Sequence, residues 1–217
     1  MCKAKSVSSP SSPLTAVEKR KQQTARAYNR WSRVWNLARY TNRRIYQAAL
    51  GQLDERHRRV LDAGCGTGLM SLKLGATGRQ TTGLDLSPDM IGRAGRRRSP
   101  NVEFVQGDVE NLPFADGSFD AVVNLISFHH YPAPARALAE FRRVLRPGGR
   151  LILIAFDRKS LYIKLAQRVN HWTRWIAGHS WQKTAEEVSA LVKQSGFDRI
   201  EVHPVCYWIR TFAIVAE

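Results

Sequence analysis

The feature that most constrains this chain is a short apolar run followed by glycines at every second position, in residues 60–68. The run ends in an acid, Asp62, and a helix-compatible segment begins at Leu69. This pattern predicts a strand, a tight turn and a helix. Glycine suits such a turn because the backbone can bend sharply and a ligand can approach it closely. The segment therefore predicts the first turn of an α/β nucleotide-binding fold, with free helix N–H groups facing the ligand.

The pattern Asp-x-Gly-x-Gly-x-Gly in residues 62–68 resembles the cofactor loop of class I S-adenosylmethionine-dependent methyltransferases. Residues 83–87, 107–114 and 143–151 resemble three further landmarks of that family. Together the resemblance covers about residues 58–157. It implies an α/β, Rossmann-like fold, in which a seven-stranded and mostly parallel sheet ends in an antiparallel C-terminal strand and carries helices on both faces.

Two alternatives exist for the glycine loop. A Rossmann dehydrogenase needs Gly-x-Gly-x-x-Gly, but the position of its third glycine is Leu69 here. A turn that binds no ligand is the other alternative. The acid Asp85, 21 residues beyond Gly64, has the spacing of an acid that holds a ribose. We therefore favour S-adenosyl-L-methionine as the cofactor.

The resemblance implies which residues hold the methionine end of this cofactor. Gly64, Cys65 and Gly66 would pass under the methionine portion. Asp62 would help to hold its amino group, and Asn124, at the end of the fourth predicted strand, would lie close to the same portion. An acid at a strand end can also merely cap a helix, and that remains the alternative for Asp62, Asp85 and Asp108.

The resemblance also assigns the ribose and adenine end. Asp85 would accept hydrogen bonds from both ribose hydroxyls, because the two oxygens of a carboxylate accept in a fork. Leu86 and Met90 would pack on adenine. Asp108 would accept from the adenine amine, while Val109 offers its backbone N–H.

Methyl transfer from a sulfonium is an in-line displacement, so the main task is to hold the acceptor behind the methyl group and to exclude water. It needs no metal ion and no covalent intermediate. An acceptor that must lose a proton needs a base, and His129 and His130 are the candidates because their loop is expected at the carboxyl ends of the strands. Both histidines could instead be loop structure, and Tyr131 and Asp157 are further candidates.

The composition changes sharply along the chain. Residues 1–59 hold 14 basic and 3 acidic residues, for a net charge of +11, and residues 158–185 carry +6, whereas residues 60–157 carry only +1. All six tryptophans lie outside that neutral core. Basic residues interleaved with indoles suit an anionic, partly apolar partner such as a membrane surface. They could equally cover an apolar flank of the domain.

The same pattern predicts three parts. Residues 1–14 are expected to be disordered, residues 15–57 to form a helical cap, and residues 58–217 to form the methyltransferase domain. A basic, Trp-rich insertion is expected at about residues 159–182. No apolar run long enough to span a membrane and no secretory h-region are seen, and three scattered cysteines suit a reducing compartment, so we expect a cytoplasmic protein.

The chain most resembles the family that contains the ubiquinone and menaquinone C-methyltransferases and bacterial phospholipid N-methyltransferases. This resemblance implies a small or amphipathic acceptor that is quinol-like or lipid-like, with contact to an anionic membrane as a further hypothesis. An RNA-modifying methyltransferase that uses the basic flanks for phosphates is the alternative. A binding module without catalysis is a third reading. The acceptor atom and the oligomeric state stay open.

Overall fold

The structure is a computed structural model. It describes residues 15, 17–19, 21, 43–97, 99–160, 183–206 and 210–217. The predicted disordered N-terminus, nearly all of the predicted insertion and all six tryptophans lie outside the described residues.

Strands and helices alternate along most of the described chain. The strands are β1 (Arg59–Ala63), β2 (Gln80–Asp85), β3 (Val102–Gln106), β4 (Phe119–Leu125), β5 (Leu145–Phe156), β6 (Ile200–Cys206) and β7 (Thr211–Ala216). The helices are α1 (Arg43–Gly51), α2 (Leu69–Gly75), α3 (Pro88–Ala94), α4 (Pro134–Val144) and α5 (Ala185–Gln194), with a 3₁₀ turn at Phe128–His130. In the described ranges, none of these helices has the length and apolar character needed to cross a bilayer.

The seven strands form one sheet in the order β3-β2-β1-β4-β5-β7-β6. The pairs among β1 to β5 are parallel, while β7 runs antiparallel to both β5 and β6. This arrangement confirms the predicted fold class. Because parallel strands end at the same edge, the carboxyl ends of β1, β2, β3 and β4 lie side by side, and ligands of open α/β sheets bind at that edge.

The core lies on both faces of the sheet. On one face, Leu138 and Phe141 of α4 and Val188 of α5 pack against the strands. On the other face, Ile45 of α1 and Leu74 of α2 pack against residues of the same strands. The central strand β4 is buried from its first residue to Asn124, as expected of a parallel strand covered on both faces. The sheet edge that faces ligands is therefore held on a rigid support.

Side chains cap two of the helices. Ser87 caps α3 by accepting from the Met90 N–H, and Thr184 caps α5 in a reciprocal capping box with Glu187. Helix α3 ends at Ala94, so the arginines that follow it do not belong to the helix. Arg97 Nη1 instead donates to the Thr67 carbonyl at 3.1 Å, so this arginine supports the glycine loop.

Candidate active site

A cavity opens at the carboxyl edge of the sheet, at the ends of β1, β2 and β4. Of the ten residues that the resemblance assigns to the cofactor and the two candidate histidines, ten of twelve line this cavity, as does Tyr131. The ten are Asp62, Gly64, Cys65, Gly66, Asp85, Leu86, Met90, Asp108, Val109 and His130. Asn124 and His129 are buried and are not part of the cavity wall.

The glycine loop turns through left-handed backbone conformations, with φ of 75° at Gly64 and 55° at Gly66. A Cβ on Gly64 would lie 2.6 Å from Ser127 Oγ, so glycine is required there for packing as well as for conformation. A Cβ on Gly66 would meet no atom within 4 Å. The loop therefore presents bare backbone to the cavity, which is the surface that a ligand can approach most closely.

Asp85, at the end of β2, ties the glycine loop to the next helix. Its Oδ2 accepts from the Gly66 N–H and its Oδ1 accepts from the Ser87 N–H, both at 2.9 Å. Burial raises the pKa of Asp85, although these two N–H groups oppose the shift. Each oxygen retains a second lone pair, so the carboxylate can still accept hydrogen bonds from two hydroxyls of a bound molecule.

Asp62, near the end of β1, is buried without a cation. Its side chain is 1% exposed and its Oδ2 accepts from Ser71 Oγ at 2.6 Å. Burial raises the pKa of Asp62 to about 7, against the opposing hydrogen bond from Ser71. No Lys, Arg or His forms an ion pair with Asp62 in the part of the chain that the structure describes. A positively charged ligand group in the cavity would therefore favour its ionised form.

Asp108 belongs to a small ionic cluster beside the cavity. Lys21 Nζ lies 2.6 Å from Asp108 Oδ2 and 2.5 Å from Glu110 Oε2. Glu110 uses its other oxygen to accept from the Ala133 N–H at 2.7 Å. Burial acts to lower the pKa of Lys21, but the hydrogen bonds to the two carboxylates outweigh it and raise the pKa. The N-terminal segment thus reaches the cofactor side of the cavity.

Asn124 does not line the cavity, but it is hydrogen-bonded to two hydroxyl groups that do. Its Nδ2 lies within 2.8 Å of the Ala63 carbonyl and of Ser127 Oγ, and 2.6 Å from the Tyr131 hydroxyl. The two hydroxyls are 2.9 Å apart. An amide nitrogen has only two hydrogens, so it cannot donate to all three oxygens at once, and Ser127 Oγ can itself donate to the Ala63 carbonyl at 3.4 Å.

The two histidines have different environments, although their rings are only 4.0 Å apart. His129 packs against Phe156 and is 9% exposed, and burial lowers its pKa to about 4. His130 lines the cavity, and burial together with the neighbouring His129 lowers its pKa well below the usual value. At neutral pH both imidazoles are uncharged, and only His130 can meet a ligand. Burial raises the pKa of Tyr131, which makes that hydroxyl a donor and not a base.

The remainder of the cavity wall is largely apolar. It is contributed by Ile45 and Tyr46 of α1, by Leu125 and Ile126 after the buried part of β4, and by Pro132. Carboxylates and hydroxyls therefore concentrate at the glycine loop and the ends of β2 and β3, while α1 and the end of β4 offer apolar surface. The cavity can hold a molecule with a polar part and an apolar part.

Ile126 holds an unusual backbone conformation at this apolar wall. Its φ is 54°, in the left-handed region that branched side chains rarely adopt. Its N–H donates to the Ile154 carbonyl at 2.8 Å, which continues the pairing of β4 and β5 past the end of β4. The strained conformation presents Ile126 to the cavity, and strain of this kind is typical of functional sites.

Sequence reasoning missed two of the groups described above. Lys21 is 87 residues from Asp108, and no motif indicates that they meet. Glu110 follows Asp108 by two positions, so the sequence could have suggested that it lies in the same loop and needs a partner there. Ser127 and Tyr131 were within the loop expected at the site, but their bonding to Asn124 depends on tertiary packing.

Comparisons with known proteins agree with this geometry. The chain matches the methyltransferase-domain family over residues 61–153. A demethylmenaquinone methyltransferase from Renibacterium salmoninarum is 32% identical, and the match covers 64% of this chain and 72% of that protein. A fatty-acid O-methyltransferase from Mycolicibacterium smegmatis is 46% identical over 108 residues, which span 48% of this chain and 39% of that protein.

The fold is also similar to that of solved methyltransferase structures. A SAM-dependent methyltransferase from Thermotoga maritima, described as a possible histamine N-methyltransferase, superimposes with a TM-score of 0.74 at 25% identity. That match covers 88% of this chain and 98% of the other. The chain belongs to the S-adenosylmethionine-dependent methyltransferases, and S-adenosyl-L-methionine is its cofactor.

The donor and acceptor groups in the cavity fit this cofactor. A bare glycine backbone lies beside two carboxylates, the buried Asp62 and the partly buried Asp85, that lack a cationic partner among the described residues. A third carboxylate, Asp108, lies further along the same edge. S-Adenosylmethionine carries an ammonium, a ribose diol and an adenine amine, and each of these groups needs hydrogen-bond acceptors.

Proposed function

We propose that this enzyme methylates a small or amphipathic acceptor of quinol or lipid type. The observation that carries the proposal is the division of the cavity into a polar end at the glycine loop and an apolar wall formed by α1 and the end of β4. An apolar wall buries a ring or an acyl chain favourably. The names of the relatives, a demethylmenaquinone methyltransferase and a fatty-acid O-methyltransferase, support the same acceptor class.

The proposal assigns the polar end of the cavity to the cofactor. Asp85 accepts from the ribose hydroxyls, and Asp108 accepts from the adenine amine beside the Val109 N–H. Leu86 and Met90 pack against the adenine ring. These roles are supported by the lining of the cavity and by the free lone pairs of both carboxylates.

The methionine end is assigned to the glycine loop and to β4. Gly64, Cys65 and Gly66 supply backbone that a ligand can approach, and Asp62 accepts from the amino group. Asn124 acts as a positioning residue, because its side chain fixes the Ser127 and Tyr131 hydroxyls and does not itself reach the cavity.

Bound S-adenosylmethionine supplies an electrophilic methyl group on a sulfonium. The protein's own contribution is to hold the acceptor in line and to exclude water, and the apolar wall does both. His130 is the proposed base, because its imidazole lines the cavity and a ring nitrogen can accept a proton from a bound acceptor. His129 is buried behind it and supports the ring of His130 by packing.

A labelled-methyl assay tests the acceptor class. Purified enzyme is incubated with S-adenosylmethionine carrying a labelled methyl group and, separately, with demethylated quinols, free fatty acids, phospholipids and total RNA. We expect label in a quinol or lipid fraction. Label in RNA alone would overturn the proposal and favour the RNA-modifying alternative.

A pair of variants tests the base. His130→Gln should lower turnover by about 10²- to 10⁴-fold, the usual contribution of a positioned base, and should leave S-adenosylhomocysteine affinity near the wild-type value. His129→Gln is the matched control, and its turnover per folded molecule should fall far less. Equal losses in both variants would assign the pair a structural role.

We also propose contact with an anionic membrane, because a lipid-like acceptor resides there and residues 1–59 carry a net charge of +11. Sedimentation with vesicles tests this point. Binding to vesicles that contain anionic lipid should exceed binding to neutral vesicles and should weaken as salt is added. Equal binding to both kinds of vesicle at low salt would contradict it.

A further inference from the structure

Lys21 brings a segment that precedes the methyltransferase fold into contact with the polar end of the cavity. It lies 38 positions before β1, yet its ammonium group meets the loop that follows β3. Lys21 also lines the cavity itself, and its side chain is only 17% exposed. The position is thus a well-packed contact and not a surface ion pair.

The two carboxylates that Lys21 contacts differ in exposure. The Glu110 side chain is 1% exposed, whereas that of Asp108 is 28% exposed. Within the described ranges, Lys21 is the cation that pairs with Glu110. A ligand that displaced Lys21 would leave a buried carboxylate without its counter-ion, which is strongly unfavourable. Lys21 therefore stays in place when the cavity fills, and the exposed part of Asp108 remains available to the ligand.

The cluster also fixes the orientation of Asp108. Its Oδ1 accepts from the Glu110 N–H at 2.9 Å, and its Oδ2 accepts from Lys21 Nζ. Both oxygens are thus held from the protein side, and each retains a lone pair for a further donor. Without Lys21, Oδ2 would lose the charge-assisted hydrogen bond that orients it.

We propose that Lys21 is a positioning residue for adenine recognition: it holds Asp108 in the orientation that accepts from the adenine amine, and it docks the N-terminal segment at that end of the cavity. This inference rests on the proposed role of Asp108. It adds a specificity element from outside the methyltransferase core. The enzyme then distinguishes an adenine from a base without the exocyclic amine through a contact that the N-terminal segment completes.

Calorimetry with two ligands tests the inference. One is S-adenosylhomocysteine, and the other is its analogue with purine in place of adenine, which lacks only the exocyclic amine. In the wild type the analogue should bind more weakly. Lys21→Met should weaken the binding of S-adenosylhomocysteine about tenfold, as expected for a damaged charge-assisted hydrogen bond. It should change the affinity for the analogue far less. Lys21→Arg should recover most of the preference for adenine.

Lys19→Met is the matched control, since Lys19 is exposed and belongs to the same segment. Its affinities for both ligands should equal those of the wild type. If Lys21→Met weakens both ligands equally, or neither, Lys21 has no role in adenine recognition and the inference is overturned.

Thermal unfolding without ligand shows whether each variant folds. Should Lys21→Met unfold, the double variant Lys21→Met, Glu110→Gln removes the uncompensated buried charge, and the two-ligand comparison is made in that background. Asp108→Asn separates the two proposals. Loss of the adenine preference in Asp108→Asn but not in the Lys21 variants overturns the inference alone, whereas an unchanged preference in Asp108→Asn overturns the role of Asp108 and the inference with it.

Discussion

Asp120, at one edge of the sheet, differs in its partners from Asp62 and Asp85 at the other edge. At the amino edge, Asp120 near the start of β4 is 3% exposed and lies 3.1 Å from Arg146 Nη1. Its Oδ2 also accepts from the Arg58 and Arg59 N–H groups, at 2.8 and 2.9 Å. At the carboxyl edge, the hydrogen bonds that the described residues make to Asp62 and Asp85 come from a hydroxyl and from backbone N–H groups.

The difference separates a structural acid from an acid that serves a ligand. Asp120 has a cation, so its ionised form is compensated within the protein. Burial raises the pKa of both Asp62 and Asp85, because no neighbouring cation of the described chain offsets the loss of water. Burial alone does not reveal function. A buried acid that faces a cavity without a counter-ion has capacity left for a bound molecule.

Loss of Asp85 should have the largest effect on binding. Asp85→Ala removes the acceptor proposed for both ribose hydroxyls and also frees the Gly66 N–H that positions the loop. We expect S-adenosylhomocysteine affinity to fall by about two to three orders of magnitude, as two charge-assisted hydrogen bonds are lost. Calorimetry measures the affinity, and circular dichroism checks the fold. Affinity within a few-fold of wild type would remove Asp85 from the site.

Asp120→Ala should show the opposite pattern. It leaves the Arg58 and Arg59 N–H groups without their acceptor and removes the partner of Arg146. We expect the free energy of unfolding to fall by about 2 kcal/mol, since Arg146 is partly exposed and can recover water. Affinity per folded molecule should not change. Urea denaturation and calorimetry measure these two quantities. A loss of affinity without a loss of stability would contradict a purely structural role for Asp120.

Asp62 should make stability depend on pH. The native state keeps the Asp62 proton up to about pH 7, whereas the unfolded chain releases it near pH 4. The native state thus binds more protons in that window, so wild-type stability should fall as the pH rises through it. Asp62→Asn should flatten this slope, so that its stability relative to the wild type is greater at pH 8 than at pH 5. Denaturation at a series of pH values checks this, and an unchanged slope would contradict it.

Glu217 should show the smallest effect. This partly exposed acid pairs with Arg150 at the amino edge. Glu217→Gln should lower the free energy of unfolding by about 0.5 kcal/mol, as is usual for an ion pair near the surface, and should leave cofactor affinity unchanged. Urea denaturation at low and high salt checks the value. A loss of stability as large as that of Asp120→Ala would mean that solvent exposure does not determine how much each acid of this edge contributes to stability.

The sequence was informative where function depends on local backbone. The strand, the glycine turn and the helix in and after residues 60–68 occupy consecutive residues, and they form as predicted. The order and direction of the strands followed from the family resemblance and is confirmed.

Features that depend on tertiary packing could not be predicted in this way. The sequence treats His129 and His130 alike, but the 3₁₀ turn buries one ring against Phe156 and leaves the other at the cavity. Spacing also does not indicate that the Asn124 side chain is hydrogen-bonded to Ser127 and Tyr131. Such choices depend on which neighbours surround each side chain, and spacing along the chain does not contain that information.

The left-handed conformation of Ile126 has a consequence for the evolution of this enzyme. A branched residue held at a φ of 54° costs about 1 to 3 kcal/mol that the rest of the fold must supply. A glycine there would release that cost but would remove apolar surface from the cavity. Selection for heat resistance alone should therefore favour loss of this side chain, and selection for catalysis should retain it. Position 126 is where the two kinds of selection are expected to conflict.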